Sequence, residues 1–290
     1  MANALRLATR GSQLARAQAA LAVDALGRCG VGVVETVVIR TQGDREADTP
    51  AEHLPGEGWF TTALELAVAE GRADAAVHSA KDLPSRLGDG LAVAAFLARA
   101  DCRDALVTRD GRGLAALGAG ARVGTGSPRR AALLHALRPD LVAVPVRGNV
   151  DTRLVKLEAG EVDALLLACA GLDRIGATDR IAERLDPRVF VPSPCQGVIA
   201  LETPLAGAIA DACAPADHPP TRAAAAAERA VLAALGGGCL LPLGAWARVE
   251  GGRLVLAAAL EVGGELRRTE VAGEPGAPEE LGENAAARLR

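Results

Sequence analysis

The sequence predicts a mixed α/β chain: two similar parallel-sheet domains followed by a small α+β domain. Three observations lead there. Apolar, strand-like runs alternate with helical repeats up to about residue 214, the pattern of parallel sheets covered by helices. Two segments of that region echo each other. Leu66-Ala-Val-Ala-Glu-Gly-Arg-Ala-Asp-Ala-Ala-Val and Leu154-Val-Lys-Leu-Glu-Ala-Gly-Glu-Val-Asp-Ala-Leu share a helix–Gly–x–x–Asp-Ala–strand pattern, which common α/β grammar can also produce. Beyond Ala214-Pro-Ala-Asp-His-Pro-Pro220, a linker by composition, the alternation stops.

Each element follows from local chemistry. Leu5-Arg-Leu-Ala reads as a strand, and Ser12 is placed to cap a helix whose Leu14, Ala17, Leu21 and Ala25 recur at helical spacing until Gly27. Val33 to Ile39 is β-branched and reads as a strand. The polar Gly/Pro-containing stretch 41–58 is long for a compact domain and suggests a lid or binding loop. A helix over Thr61–Glu70 ends at Gly71, and Ala75-Ala-Val-His78 is a buried strand. Strands around Leu91–Phe96 and Ala105–Val107 form the outward crossing to the second domain. There Arg122-Val-Gly ends a strand, Thr125-Gly-Ser-Pro-Arg-Arg130 opens a helix through Leu137, and Leu141–Val146 is a strand. A helix over Asp151–Ala159 and a strand over Ala164–Leu167 complete the repeat. After the Pro192–Gly197 break, Val198–Glu202 and a helix near Leu205–Ala212 return to the first domain. Thr221 then caps an Ala-rich helix to Leu235, and three strand-like runs are separated by Gly251-Gly252 and Gly263-Gly264, as hairpins would be. A helix over Glu279–Arg290 closes the chain. The expected boundaries are 1–97 with 198–214, 103–192, and 219–290. Two crossings between the first two domains imply a hinge and a cleft, a usual place for ligands.

Composition narrows the function. At 290 residues, half of them hydrophobic, the chain can bury sizeable cores. A formal charge of −4 gives no nucleic-acid footprint, although clustered basic residues can still bind an anion. No signal-peptide pattern follows Met1 and no apolar run approaches a membrane span, so a cytoplasmic location is expected. The six cysteines show no C-x-x-C pair and no metal-ligand spacing; reduced thiols are expected, and no metal site.

Thr125-Gly-Ser-Pro-Arg-Arg is the strongest anion signal. Ser127 suits an N-cap and Pro128 the first helical position, which leaves Arg129 and Arg130 in the first turn, against the helix dipole unless an anion compensates. The other reading is a solvated helix start. Arg10, beside Ser12, makes the same proposal in the first domain. Arg147 and Arg153 flank a turn at a strand's C-terminal end, where α/β domains bind ligands; Asp151 capping a helix beside a solvated Arg153 competes with that reading. Arg174 is ambiguous alone. Guanidinium rather than ammonium throughout suits planar carboxylates. His78-Ser-Ala-Lys-Asp-Leu-Pro84 places a base, the Ser79 hydroxyl, Lys81 and Asp82 after a buried strand. Asp82 can stabilise a cation or move a proton, or simply be neutralised by Lys81 in an exposed turn. Cys239 follows three glycines on a sterically open loop, as an attachment point requires; a buried loop cysteine is the alternative, and Cys195 the rival thiol.

Read together and in order, Ala8-Thr-Arg-x-Ser, Ala76-Val-His-Ser-x-Lys-Asp, Gly124-Thr-x-Ser-x-Arg-Arg, Arg147-Gly-Asn-Val-x-Thr-Arg, Ala170-Gly-Leu-x-Arg, Gln196-Gly and Gly237-Gly-Cys-x-x-Pro-x-Gly resemble the porphobilinogen deaminase (hydroxymethylbilane synthase) family over nearly the whole chain. The resemblance implies two domains like type II periplasmic binding proteins plus a small α+β domain. It implies that four porphobilinogens are deaminated, coupled head to tail and released by water as hydroxymethylbilane. The family's covalent dipyrromethane primer matches Cys239, and its pyrrole-facing aspartate matches Asp82, which would stabilise the azafulvenium formed on ammonia loss and assist proton transfer. Its arginines match Arg10, Arg129, Arg130, Arg147, Arg153 and Arg174. Ser12, Ser79, Lys81, Thr125, Ser127 and Gln196 match positions expected to line the same cleft. The expected state is a cytoplasmic monomer whose partner is porphobilinogen, with no nucleic acid or membrane.

The chain departs from the family pattern at His53-Leu-Pro-Gly-Glu-Gly-Trp-Phe60, where many members carry lysines, and at Leu240, where many have a polar residue. Glu57 pointing inward would repel substrate carboxylates. Two other readings follow: a paralogue that holds the primer without turnover, and a small-anion binding protein using the same two domains.

Overall fold

The computed structural model describes residues 4–42, 61–237 and 241–290. The chain divides into two compact units. One comprises Met1–Ala100 with Val198–Arg222, the other Asp101–Gly197 with Ala223–Arg290. The chain therefore leaves the first unit between the two strands expected at the outward crossing and returns just after the Pro/Cys/Gly break.

The first unit is built on β1 (Leu5–Arg10), α1 (Gln13–Arg28), β2 (Val34–Ile39), α2 (Thr62–Ala69), β3 (Ala75–Ser79) and β4 (Leu91–Phe96). The second opens with β5 (Asp104–Thr108), β6 (Arg122–Gly124), α3 (Pro128–Leu137), β7 (Val142–Val144), α4 (Val150–Glu158), β8 (Ala164–Ala168), α5 (Cys169–Arg174) and β9 (Glu183–Arg184). Then β10 (Ile199–Pro204) and α6 (Ala208–Cys213) complete the first unit's sheet, and α7 (Pro219–Ala234) leads to β11 (Leu243–Glu250), β12 (Arg253–Val262), β13 (Glu265–Gly273) and α8 (Pro278–Leu289).

The two five-stranded sheets have the same plan. The first runs β2-β1-β3-β10-β4 and the second β7-β6-β8-β5-β9. In each, three strands are parallel, and the fourth, which arrives from or leaves for the other unit in the chain, is antiparallel to its neighbours. The sequence echo around Asp74 and Asp163 is thus an echo of structure. Both residues cap the start of a neighbouring strand: Asp74 accepts from the Arg6 amide at 2.8 Å, and Asp163 from the Arg122 amide at 2.7 Å.

Apolar side chains sort to the faces that the alternation requires. Leu5, Leu7, Ala75, Val77, Ile199 and Leu201 pack with Ala22 and Leu26 of α1, whereas Ala8 and Ala76 pack with Leu64, Ala67 and Val68 of α2. In the second unit Leu106, Val123, Ala164 and Leu166 meet Leu133 and Leu134 of α3, while Val107, Leu165 and Leu167 meet Leu157. The last segment is a three-stranded antiparallel sheet, β11-β12-β13, with its own core under α7 and α8.

Three local expectations change. The Ala-rich helix begins at Pro219, so Thr221 lies within its first turn; prolines there cost nothing because the first amides have no partner to lose. Thr221 instead accepts from the Arg99 amide at 3.1 Å. The helix expected at Asp151 starts at Val150 after Asn149, placing Asp151 in the first turn rather than at the cap. The strand over Leu141–Val146 pairs only across Val142–Val144. The expected loop over 41–58 lies outside the described residues from 43 onward.

Candidate active site

Parallel pairing of β1 and β3, with Leu7 opposite Ala75 and Ala8 opposite Ala76, brings their C-terminal ends to one edge of the first sheet. That edge gathers Arg10, Ser12, Ser79, Lys81 and Asp82. Ser12 is the N-cap of α1 and its Oγ accepts from the Ala15 amide at 3.2 Å. Ser79 is held by α1 as well: the Gln18 amide donates to its hydroxyl at 2.7 Å. The turn Ala80–Asp82 is fixed from behind, where the Ala80 amide donates to Val198 O at 3.0 Å. His78 faces inward, with Nε2 3.0 Å from the buried Glu202. Asp82 is half-buried and, among the described residues, its carboxylate has no hydrogen bond or ion pair. Neutralisation by Lys81 is therefore not the arrangement adopted.

In the second unit, parallel pairing of β6 with β7 and β8 gathers Thr125, Ser127, Arg147 and the start of α5 at the equivalent edge. Thr125 Oγ1 accepts from the Ser127 amide at 3.2 Å, and Ser127 caps α3, accepting from the Arg130 amide at 3.4 Å with Pro128 at the first position. The anion that this helix start demands is internal. Because β5 is antiparallel to β8, with Asp104 opposite Ala168, its first residue is delivered beneath α3. Arg129 donates to both Asp104 oxygens at 2.8 and 3.1 Å and to Val191 O at 2.7 Å. Arg130 reaches Asp104 through Nε at 2.8 Å and Leu166 O through Nη1 at 3.0 Å. The alternative of a solvated helix start thus gives way to two buried guanidiniums folded onto a buried carboxylate, and the anion expected from a ligand is met first by Asp104. Burial pushes Asp104 upward, but Arg129 and Arg130, with the hydrogen bonds from Arg129 and Gln196, hold it at about 2.

Gln196 completes this group, donating to Cys102 O at 2.9 Å and Asp104 at 3.1 Å while its oxygen lies 3.4 Å from Arg130 Nη2. At the neighbouring turn Gly148 has φ +107, and a Cβ there would meet Thr152 at 2.9 Å, so glycine alone fits between Arg147 and Asn149. Arg153 Nε donates to Gly148 O at 2.8 Å. Arg147 Nη1 is buried without a hydrogen-bond partner among the described residues, an orphaned donor that an incoming carboxylate would satisfy. Arg174, at the end of α5, donates to Gly197 O at 2.7 Å, and burial draws its guanidinium down to about 10.

The thiols also separate. Cys169, Cys195 and Cys213 are buried, which pushes Cys169 up to about 12 and Cys213 to about 11. Cys195, the rival attachment residue, is 1 % exposed. Cys239, like His53 and Glu57, lies outside the described residues. No metal-binding cluster occurs among the described residues. Sequence reasoning missed Asp104, Gln18 and the His78–Glu202 pair. The one available signal for Asp104 was a charge opening the otherwise apolar run Asp-Ala-Leu-Val.

Comparison with known proteins adds to this geometry. Residues 5–207 match the family model "Porphobilinogen deaminase, dipyromethane cofactor binding domain", and residues 223–290 match "Porphobilinogen deaminase, C-terminal domain". The chain is 47 % identical to the porphobilinogen deaminase of Acidothermus cellulolyticus, over 99 % of this chain and 88 % of that protein. It is 48 % identical to that of Roseiflexus castenholzii over 88 % and 85 %, and 45 % identical to that of Micrococcus luteus over 95 % and 86 %. Among solved structures, the methionine binding protein MetQ is similar with a TM-score of 0.46 at 14 % identity, over 73 % of this chain and 89 % of that one.

Proposed function

The chain belongs to the porphobilinogen deaminase family, and from that premise we propose which of its residues perform the head-to-tail condensation of four porphobilinogens and the hydrolytic release of hydroxymethylbilane. The observation that carries the assignment is the Asp82 carboxylate, unpaired among the described residues and held by a fixed turn at the sheet edge that also bears Arg10 and Ser12. As ammonia leaves the substrate, positive charge develops on its pyrrole nitrogen. A carboxylate already in place there lowers the energy of that charge without reorganising, and can then take up the proton lost on coupling.

Cys239 is the attachment residue for the dipyrromethane cofactor, joined through a thioether. When bound, the cofactor supplies the free pyrrole carbon from which the product is built. The described residues fit such a group. It carries acetates and propionates, and Arg147 offers a buried donor lacking an acceptor among the described residues while Arg10, Arg153 and Arg174 add guanidiniums. The Thr125 and Ser127 hydroxyls can donate to a carboxylate at the α3 start, with Lys81 and Gln196 as further polar contacts. Arg129 and Arg130 contribute through the positive charge they hold beyond that of Asp104. In this proposal residues 219–290 form the third domain, the enzyme works as a monomer in the cytoplasm, and porphobilinogen is its partner. No helix among the described residues is long and apolar enough to cross a membrane.

Intact mass tests the attachment. Protein from a haem-making host should be heavier than its sequence by two linked pyrroles, and Cys239→Ser should lose that excess. An unmodified parent would sink the assignment. Incubation with porphobilinogen should then release a bilane; primer without release would leave only binding.

A further inference from the structure

Glu228 stands in the middle of α7, wholly buried, and no motif or proposed role accounts for it. Its two oxygens reach in different directions. Oε2 accepts from the Cys195 amide at 2.6 Å and Oε1 from the Ala247 amide at 2.6 Å. A carboxylate suits this place because it offers only acceptors; a carboxamide would turn an N–H toward one of the two donors. Cys195 is the one non-glycine with positive φ among the described residues, at +59, a conformation that a side chain with a Cβ holds only when its surroundings impose it. Its neighbour is Gln196, whose amide lies between Asp104, Cys102 O and Arg130.

We propose that Glu228 is a positioning residue: it clamps the Cys195 turn in its left-handed form, and the turn aims Gln196 at the Arg130–Asp104 pair. The helix that leads into the Cys239 segment thereby also sets the geometry of carboxylate recognition. Glu228 acts on substrate only through Gln196. The inference rests on the reading that Gln196 serves substrate binding.

Four variants test it by initial-rate kinetics with porphobilinogen, with primer content checked by intact mass and folding by thermal melting. Glu228→Gln should raise KM by about tenfold with kcat changed by no more than about twofold. Cys195→Gly should stay near the parent, because glycine adopts φ +59 unaided. The double variant should recover most of the KM, since the turn no longer needs its clamp. Gln196→Ala should raise KM as Glu228→Gln does. If Gln196→Ala leaves KM unchanged, the substrate-binding reading fails at this residue and the inference with it. If it raises KM but Cys195→Gly does not rescue Glu228→Gln, the inference alone fails. A parent-like KM with a lowered melting temperature in Glu228→Gln would assign Glu228 to packing and overturn the proposal. Should Glu228→Gln not yield folded protein, Glu228→Asp, which keeps the charge and shortens the reach, replaces it in the same comparison.

Discussion

Asp104 is fully buried with two guanidiniums on its carboxylate, whereas Asp82 is half-buried and unpaired among the described residues. Each sits at the C-terminal edge of the parallel strands of its own sheet, so surroundings rather than position divide their roles. Removing Asp82 should therefore cost catalysis and little else. Asp82→Ala should keep the primer's mass excess while turnover falls by about 10²–10³-fold, the scale of one lost electrostatic contact to a developing charge. Normal turnover would remove Asp82 from the mechanism. Removing Asp104 should cost stability, because Arg129 and Arg130 would be left buried without their counter-charge. Asp104→Asn should lose about 3–5 kcal/mol in urea denaturation. The pH dependence carries a definite sign. The folded pKa, about 2, lies below the ordinary 3.8, so the contribution is present above about pH 4 and is lost as pH falls towards 2. The stability gap between parent and Asp104→Asn should narrow by roughly 2 kcal/mol across that window. The Ser127 cap was legible because cap chemistry is local, whereas Asp82 and Arg147 were assigned only through the ordered motifs. Asp104 was not legible, since its partners lie 25 and 26 residues away and only the antiparallel crossing of β5 brings them together.

The elements themselves were read from period and punctuation, and these survive folding wherever one face is buried. The β1, α1, β3 and α3 boundaries fall within a residue or two of their sequence signals because Ser12, Ser127, Gly71 and the apolar alternation are each decisive locally. Thr221 misled because it has a cap's chemistry but is used instead to accept from the Arg99 amide, while two prolines open the helix ahead of it. Sheet order could not be read at all: nothing local says that β10 pairs with β3 and β4. One glycine records an element-scale constraint that sequence also hides. A Cβ on Gly282 of α8 would lie 2.4 Å from Ala227 O and 2.6 Å from Ala230 Cβ of α7, so the two helices cross in contact at this point. Gly282→Ala should push them apart and lower stability by about 1–3 kcal/mol despite alanine's better helix propensity. Gly276→Ala, where a Cβ meets nothing within 4 Å, is the control and should be near neutral in thermal melting. Equal melting of the two variants would show that the crossing yields at no cost.

A net charge of −4 conceals how the cations are placed. In the second unit Asp104 sets one negative charge against the two of Arg129 and Arg130, Arg174 is drawn down by burial, and Arg147 keeps a buried donor without an acceptor among the described residues. Arg129 and Arg130 oppose each other across that single carboxylate, and burial disfavours the charge of Arg174, costs that bound carboxylates would offset. The whole molecule should therefore be more stable with its carboxylate-bearing primer than without it. Primer-free Cys239→Ser should melt lower than the parent, by roughly 5–10 °C if the primer contributes a few kcal/mol. Two further readings separate this electrostatic origin from the loss of packing around the attachment loop. Added inorganic phosphate should raise the melting temperature of Cys239→Ser while leaving the parent little changed, because only the variant lacks the primer carboxylates proposed to satisfy Arg147. Sodium chloride, which screens exposed charges but does not enter a buried fork, should reproduce only part of that rise. Equal melting of parent and variant would mean that the arginines are already satisfied by the protein itself. Their assignment as carboxylate ligands would then have to be withdrawn, while the attachment at Cys239, tested by mass, would stand.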